Sequence, residues 1–273
     1  MIAHLVTSGL AASAAMVMVA ACELLQSTGP ARDNTGQRWV LNISLYAFEQ
    51  LARLALAPLF TALLETLAGA SPLTGALTRF PLVHLALILL ALDAAAYGLH
   101  WASHHLTPLW RLHAIHHSDR ALDVTTAIRH HPAELLPTAL VVGGCGALIG
   151  ATPWEVALYG SLAFTVQLIA HAELRLPPAL LRAAGLVLVT PAMHALHHSR
   201  HEPETNSNYG EMFSVWDRLF GSLTERSATA APIEFGLDAY TDTRFHSVGG
   251  ALLQPLLRPN SAPLQPRPEP SPS

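Results

Sequence analysis

The chain contains no lysine, so all 15 of its basic residues are arginines. Charged residues fill only 12% of its 273 positions, where soluble domains carry about 25%. With a net charge of -4 and no basic patch, a nucleic-acid partner is excluded. Cysteine is nearly absent. Cys22 and Cys145 both sit in apolar segments, which removes thiolate zinc sites and iron–sulfur clusters. The Glu-x-x-His pairs of carboxylate di-iron bundles are missing too.

Half of the chain, 51%, is hydrophobic, so the polarity that a soluble protein of this length needs is replaced by long apolar runs. Spanning a bilayer by helix takes about 20 mostly apolar residues, because hydrocarbon cannot satisfy an unpaired backbone group. Five stretches qualify: residues 5–25, 39–67, 81–99, 135–151 and 154–170. The second is long enough to tilt or kink at Pro58. The last two are short, and the turn Ala151-Thr152-Pro153 joins them as a hairpin that need not fully cross. Val19-Ala20-Ala21-Cys22 resembles a lipoprotein cleavage site, but no Lys or Arg precedes it, so a first membrane helix is the expectation. Every arginine except Arg53 and Arg79 falls in residues 26–38, 101–131 or beyond 171. The positive-inside rule puts those regions in the cytoplasm. From about Gly249 the sequence turns proline-rich and is expected to be a disordered tail.

What the chain has in excess is histidine, 16 residues. His100-Trp-Ala-Ser-His104 places two imidazoles on one helical face as the third span ends. His113-Ala-Ile-His116-His117 follows, and His194-Ala-Leu-His197-His198 repeats its spacing. The i, i+3, i+4 pattern either puts all three rings on one face or lets the second and third diverge toward two metals. His171 closes the fifth span, with Gln167 one turn before it. A cluster of this size exceeds the four ligands of one zinc and asks for two ions. Imidazole suits iron, copper, nickel and zinc. Isolated His4, His84 and His246, and the extra neighbours His105, His130 and His201, read as non-ligands. Asp93 lies deep in an apolar helix, where a carboxylate is costly and usually functional; support of a ligand histidine is the expected role. Asp119, Asp123, Glu134, Glu173 and Asp217 are further acids able to offset the metal charge and fix imidazole tautomers. Asp119 and Asp123 equally suit a helix cap or a pair with Arg120 or Arg129. Asp217 suits an ion pair with Arg218.

These motifs, with His130-His131-Pro132-Ala133-Glu134, His171-Ala-Glu-Leu-Arg-Leu-Pro177, Asn208-Tyr209-Gly210 and Trp216-Asp217-Arg218-Leu219-Phe220-Gly221, resemble the fatty acid hydroxylase/sterol desaturase superfamily of integral-membrane di-iron enzymes. The resemblance covers roughly residues 93–223. It implies His100, His104, His113, His116, His117, His171, His194, His197 and His198 as ligands of two irons, with O2 as co-substrate and a lipid-like substrate hydroxylated or desaturated. It implies Asp93, Glu134 and Asn208 in supporting roles, and His131 or Gln167 at the metal or one layer out. Gln167 stands where members of the family often have another histidine.

The expected protein is all-α. A multi-pass transmembrane bundle (residues 1–79) leads into a catalytic domain (80–225) whose cytoplasmic helical cap holds the dimetal site, and a C-terminal segment follows (226–273). The expected setting is a bacterial inner membrane, with the electrons brought by a separate protein. Two other readings use the same histidines: a zinc-dependent membrane hydrolase, and a metal-binding membrane protein without catalysis. The sequence leaves substrate and oligomeric state open.

Overall fold

The computed structural model describes residues 2–26, 35–69, 71, 80–227 and 231–257. Side chains before residue 13, Arg79 and the proline-rich stretch from 258 lie outside the described residues. Among the described residues the secondary structure is helical, with two isolated bridges and no strand.

Long helices form the first half: α1 (Ile2–Gln26), α2 (Thr35–Gly69) and α3 (Pro81–His105). α2 continues through Pro58. α3 opens with proline in its first turn, where a missing N–H costs nothing. Leu106 adopts an extended backbone and ends α3, and α4 (Thr107–His117) starts at once from the next residue. A 3-10 turn, Val124–Ile128, is capped by Asp123. It leads to α5 (Pro132–Ile149), which begins with a 3-10 turn and widens into a π turn at Ala139–Gly143. There Gly143 meets the ring of Phe60 so closely that a Cβ would lie 2.5 Å from it. Gly150, at φ 77°, closes α5 in the left-handed region that glycine tolerates. Thr152 and Glu155 then form a reciprocal capping box around Pro153 to start α6 (Pro153–His171). Short helices follow: α7 (Pro178–Ala184), α8 (Pro191–His197), α9 (Glu202–Thr205), α10 (Val215–Phe220) and α11 (Val248–Leu253).

Among the described residues three helices are long and apolar enough to cross a membrane: α2, α3 and α5. Ser13–Gln26 of α1 is a shorter apolar helix, and α6 forms as expected without reaching that threshold. Leucines face outward along the crossing helices, Leu54, Leu59, Leu82 and Leu140 among them, as a lipid-facing surface requires. The protein is an integral membrane protein of all-α, multi-pass architecture.

The helix ends explain where the site sits. α1 ends, α2 begins, α3 ends, α5 begins and α6 ends at one end of the bundle. Glu23 of α1 accepts from Val124 N and Glu173 N there. Arg38 of α2 reaches Asp119 at 2.5 Å and Asp123 at 3.0 Å. Arg38 and the loop that carries Arg120 and Arg129 therefore share one end. The opposite end carries the Gly150–Thr152 turn. Small apolar cores join the layers. Ile88 and Leu92 of α3 pack with Val142 and Tyr159. Val19 packs with Val124 and Leu168. Leu41, Leu45 and Ile115 pack with Ala251.

That last contact corrects the expected onset of the tail. Residues 248–256 are helical, not disordered. Ser247 caps Gly250 N, and Ala251 is fully buried against α2 and α4. Val248, Ala251 and Leu252 anchor the turn against α2 and α4.

Candidate metal centre

Nine histidines gather where α3 and α6 end against α4 and α8. They fall into two groups that share no residue: His100, His104, His113, His117 and His197, and His116, His171, His194 and His198. Helical spacing accounts for the division. At 3.6 residues per turn, positions i and i+4 lie about 40° apart around the axis and i+3 lies on the other side of i. α4 therefore sends His113 and His117 to the first group and His116 to the second. The α8 box does the reverse, sending His194 and His198 to the second group and His197 to the first. Of the two arrangements that the box spacing allows, the structure has the diverging one.

In the second group His171 Nε2 lies 3.2 Å from His116 Nε2, 3.2 Å from His198 Nε2 and 3.0 Å from His194 Nε2. His194 and His198 Nε2 are 3.2 Å apart. Hydrogen bonding does not account for this. His171 Nδ1 donates to the Gln167 carbonyl at 2.8 Å, so its Nε2 carries a bare lone pair, and one lone pair cannot serve three neighbours. Nitrogens at this spacing surround a centre about 2 Å from each, the length of a metal–imidazole bond.

The first group is prepared in the same way. His100 Nδ1 donates to Tyr209 O at 2.9 Å, His197 Nδ1 to Ser207 O at 2.7 Å, and His104 Nδ1 faces Asn206 Oδ1 at 3.3 Å. Each ring then turns a bare Nε2 inward, and all three Nε2 atoms are buried with no protein partner. His113 and His117 Nε2 approach within 3.2 Å. An outer N–H held by a carbonyl and an inner lone pair left free is the usual preparation of a metal-ligating imidazole. Burial also keeps the rings neutral. It holds His116, His117, His194 and His198 well below the ordinary histidine range and takes His197 down to about 3. The residues present therefore fit two metal ions bound through imidazole.

Several supporting residues lie elsewhere than the sequence suggests. Asp93 touches none of these rings. It accepts from Tyr159 OH, Met212 N, Phe213 N and Trp216 Nε1 at 2.8–3.1 Å, tying the chain after Gly210 to α3 and α6. Asn208 also makes no histidine contact. Its amide bonds Met193 O, Thr224 O and Thr224 N, and its φ of 55° uses the left-handed conformation that asparagine tolerates. His131 has both nitrogens engaged by backbone, Nδ1 accepting from Ala133 N and Nε2 donating to Leu252 O, so it caps α5 and has no lone pair for a metal. Gln167 donates to the Glu211 carbonyl at 2.5 Å. Asp119 and Asp123 bond directly to Arg38, with the Arg129 guanidinium a further stabilising charge near Asp119, and Asp123 also caps the 3-10 turn. Asp217 accepts from Tyr209 N and Gly210 N, while Arg218 turns to Gly185 O. Asp217 thereby fixes the carbonyl that orients His100.

Glu134 does lie beside the rings. Its Oε2 is 3.5 Å from His113 Nδ1 and 3.3 Å from His130 Nδ1. His130, an extra neighbour by sequence, stacks on His116 at 4.4 Å. Burial opposes its charge, but the Glu134 carboxylate outweighs this and raises it to about 9. Glu211 is a second acid that sequence reasoning missed. Its Oε1 is 3.3 Å from His100 Nδ1, and its place just after Asn208-Tyr209-Gly210 was the available signal.

The fatty acid hydroxylase family model matches residues 85–222, half of the chain and the whole stretch that carries these histidines. The chain belongs to the fatty acid hydroxylase family. Ornithine lipid hydroxylase OlsE of Rhizobium tropici is 32% identical over 50% of this chain and 41% of its own length. Alkylglycerol monooxygenase of Danio rerio is 29% identical over 52% of this chain and 30% of its own. Fatty acid hydroxylase vlmA of a Lecanicillium species is 30% identical over 54% and 43%. The matched part of this fatty acid hydroxylase family member thus spans less than half of each of these relatives. No solved structure matches the chain.

Proposed function

We propose that the protein is a membrane oxidoreductase that holds two irons and uses O2 and external electrons to hydroxylate or desaturate a lipid-like substrate. The observation that carries this reading is the pair of buried histidine groups whose ring nitrogens converge, with His100, His197 and His171 each held from behind by a backbone carbonyl. Nine imidazoles exceed the needs of a hydrolytic zinc. The family's relatives include lipid hydroxylases and monooxygenases, and the same chemistry is inferred here.

The first iron would be held by His100, His104, His113, His117 and His197, and the second by His116, His171, His194 and His198. Two bound irons would supply the O2 activation that attacks an unactivated C–H bond. The protein's part is to hold and shield. The carbonyls of Tyr209, Ser207 and Gln167 fix each ring so that only Nε2 faces inward. Glu134 places negative charge behind His113 and offsets part of the charge of the metals, while Glu211, which burial raises to about 7, stands behind His100. The outward leucines of the crossing helices put the acyl region of the bilayer next to the site, so a lipid chain reaches it without crossing water. We assign the histidine end to the cytoplasm from the arginine distribution. A separate soluble protein delivers the electrons.

The test is a comparison of total lipids from cells producing the intact protein and its His197→Ala variant. Lipids that gain one oxygen or lose two hydrogens only with the intact protein are the expected result. Identical lipid profiles, in cells where the intact protein carries iron, contradict the reading.

A further inference from the structure

Asp93 is spent on an unusual task, and the task reveals where part of the chain lies. It is the middle residue of α3, twelve residues from Pro81 and twelve from His105. A hydrocarbon core of about 30 Å starting at Leu82 ends near Trp101, which puts Asp93 about 12 Å inside the nearer surface. Yet Asp93 receives hydrogen bonds from the backbone of Met212 and Phe213 and from the Trp216 indole. That stretch follows the last histidine box, and its chain must descend from the level of His197 to meet Asp93. Residues 185–189 run antiparallel beside it. Val189 N donates to Met212 O, Ser214 N to Val187 O and Ser214 Oγ to Gly185 O, at 2.9–3.0 Å. Leu188 and Phe213 pack on the core formed by Ile88 and Leu92 of α3.

We propose that residues 185–189 and 210–220 form a re-entrant insert whose outer face is embedded in the acyl chains of the bilayer, rather than a part of the aqueous cap. Three observations agree. Non-helical backbone survives at membrane depth only where its N–H groups find acceptors in protein, and the Asp93 carboxylate supplies them. A carboxylate at that depth needs donors in turn, and the insert supplies them. The outer face carries Leu186, Val187, Leu219 and Phe220, each at least half exposed. The exposed Arg218 turns its guanidinium inward onto Gly185 O at 2.7 Å. This face continues the lipid-facing side of α3, where Leu82, Val83 and Leu87 point outward, and Phe220 stacks on Tyr97 of that helix at 5.3 Å. The occupant is therefore the bilayer itself. Tyr97 in turn meets Tyr209 at 6.3 Å, and Tyr209 meets His104 at 5.2 Å. The insert brings lipid within two aromatic rings of the first histidine group.

The inference rests on the membrane reading and not on the identity of the metal. In a Cys22→Ser/Cys145→Ser background, nitroxide labels are placed at Leu186→Cys and Leu219→Cys in phosphatidylcholine vesicles. Power saturation then compares access of O2 with access of a water-soluble nickel chelate. The expected result is several-fold greater access for O2, matching a label at Leu54→Cys on α2. A pattern matching a water-facing label at Glu225→Cys overturns the proposal. The unlabelled chain gives an independent measurement that needs no variant. A lipid-phase carbene reagent should mark residues 186–187 and 219–220, whereas hydroxyl-radical modification of the same residues from water would overturn the insert.

Discussion

A buried imidazole has two nitrogens, and the fate of one decides the use of the other. At His100, His197 and His171 a backbone carbonyl takes the Nδ1 proton and leaves Nε2 bare. His104 depends instead on the side chain of Asn206, which makes it the most easily loosened of the four. Asn206→Ala should weaken metal binding by about 10- to 100-fold while leaving the fold intact, measured by chelator competition. His197→Ala and His116→Ala remove one ligand from different groups. Each should lower bound metal from about two to about one per chain and abolish oxidation. Unchanged metal content in either variant would take that residue out of the centre. The nine residues stand out in the sequence because the boxes repeat imidazoles at helical spacing and His171 closes an apolar span, and the structure brings all nine together. Their division into five and four was not legible, because it depends on how α4 and α8 face each other. Asp93 shows a different limit. A lone acid in an apolar helix reads as support for a nearby histidine, and nothing local announces the backbone 119 positions later that it holds.

Among the elements, the stretch from Asn208 to Gly221 has no ligand of its own but sets the position of one. Asp217 accepts from Tyr209 N and Gly210 N and so aims Tyr209 O at His100. Gly210 leaves no space for a side chain: a Cβ there would meet Phe213 O at 2.8 Å and Asp217 Oδ2 and Val189 Cγ2 at 2.9 Å. Gly210→Ala should therefore destabilise by about 1–3 kcal/mol and loosen the first histidine group, seen as a lower melting temperature together with faster metal loss. A lower melting temperature with normal metal retention would separate this turn from the site. α11 is a second case. Ending the chain at residue 247 uncovers Leu41, Leu45 and Ile115, each worth roughly 1.5–3 kcal/mol when buried, and removes the Leu252 carbonyl that holds His131. Such a chain should inactivate at markedly lower temperature, and equal thermal stability would show that the contact is dispensable. The motif was visible in the sequence as a pattern. The helix was not, because two glycines and a following proline mask a turn whose stability comes from packing.

On the scale of the whole molecule, one arrangement explains both the membrane segments and the histidines. Helices that alternate in direction bring the ends of α3 and α6 and the starts of α2 and α5 to the same face. The short helices between them carry the boxes across that face. The apolar runs and their order are legible from composition and length, and so is the common end of Arg38 and the loop that carries Arg120 and Arg129. The depth of the chain on either side of the last histidine box is not, since residues 185–189 and 210–220 are too short to register as membrane segments. The central claim is that the nine histidines form one centre with two irons. Elemental analysis of detergent-purified protein, with Mössbauer spectroscopy after iron loading, tests it most directly. About two irons per chain, spectroscopically coupled, and about one in His197→Ala are the expected result. One zinc per chain that iron cannot replace would contradict it and turn the site toward hydrolysis.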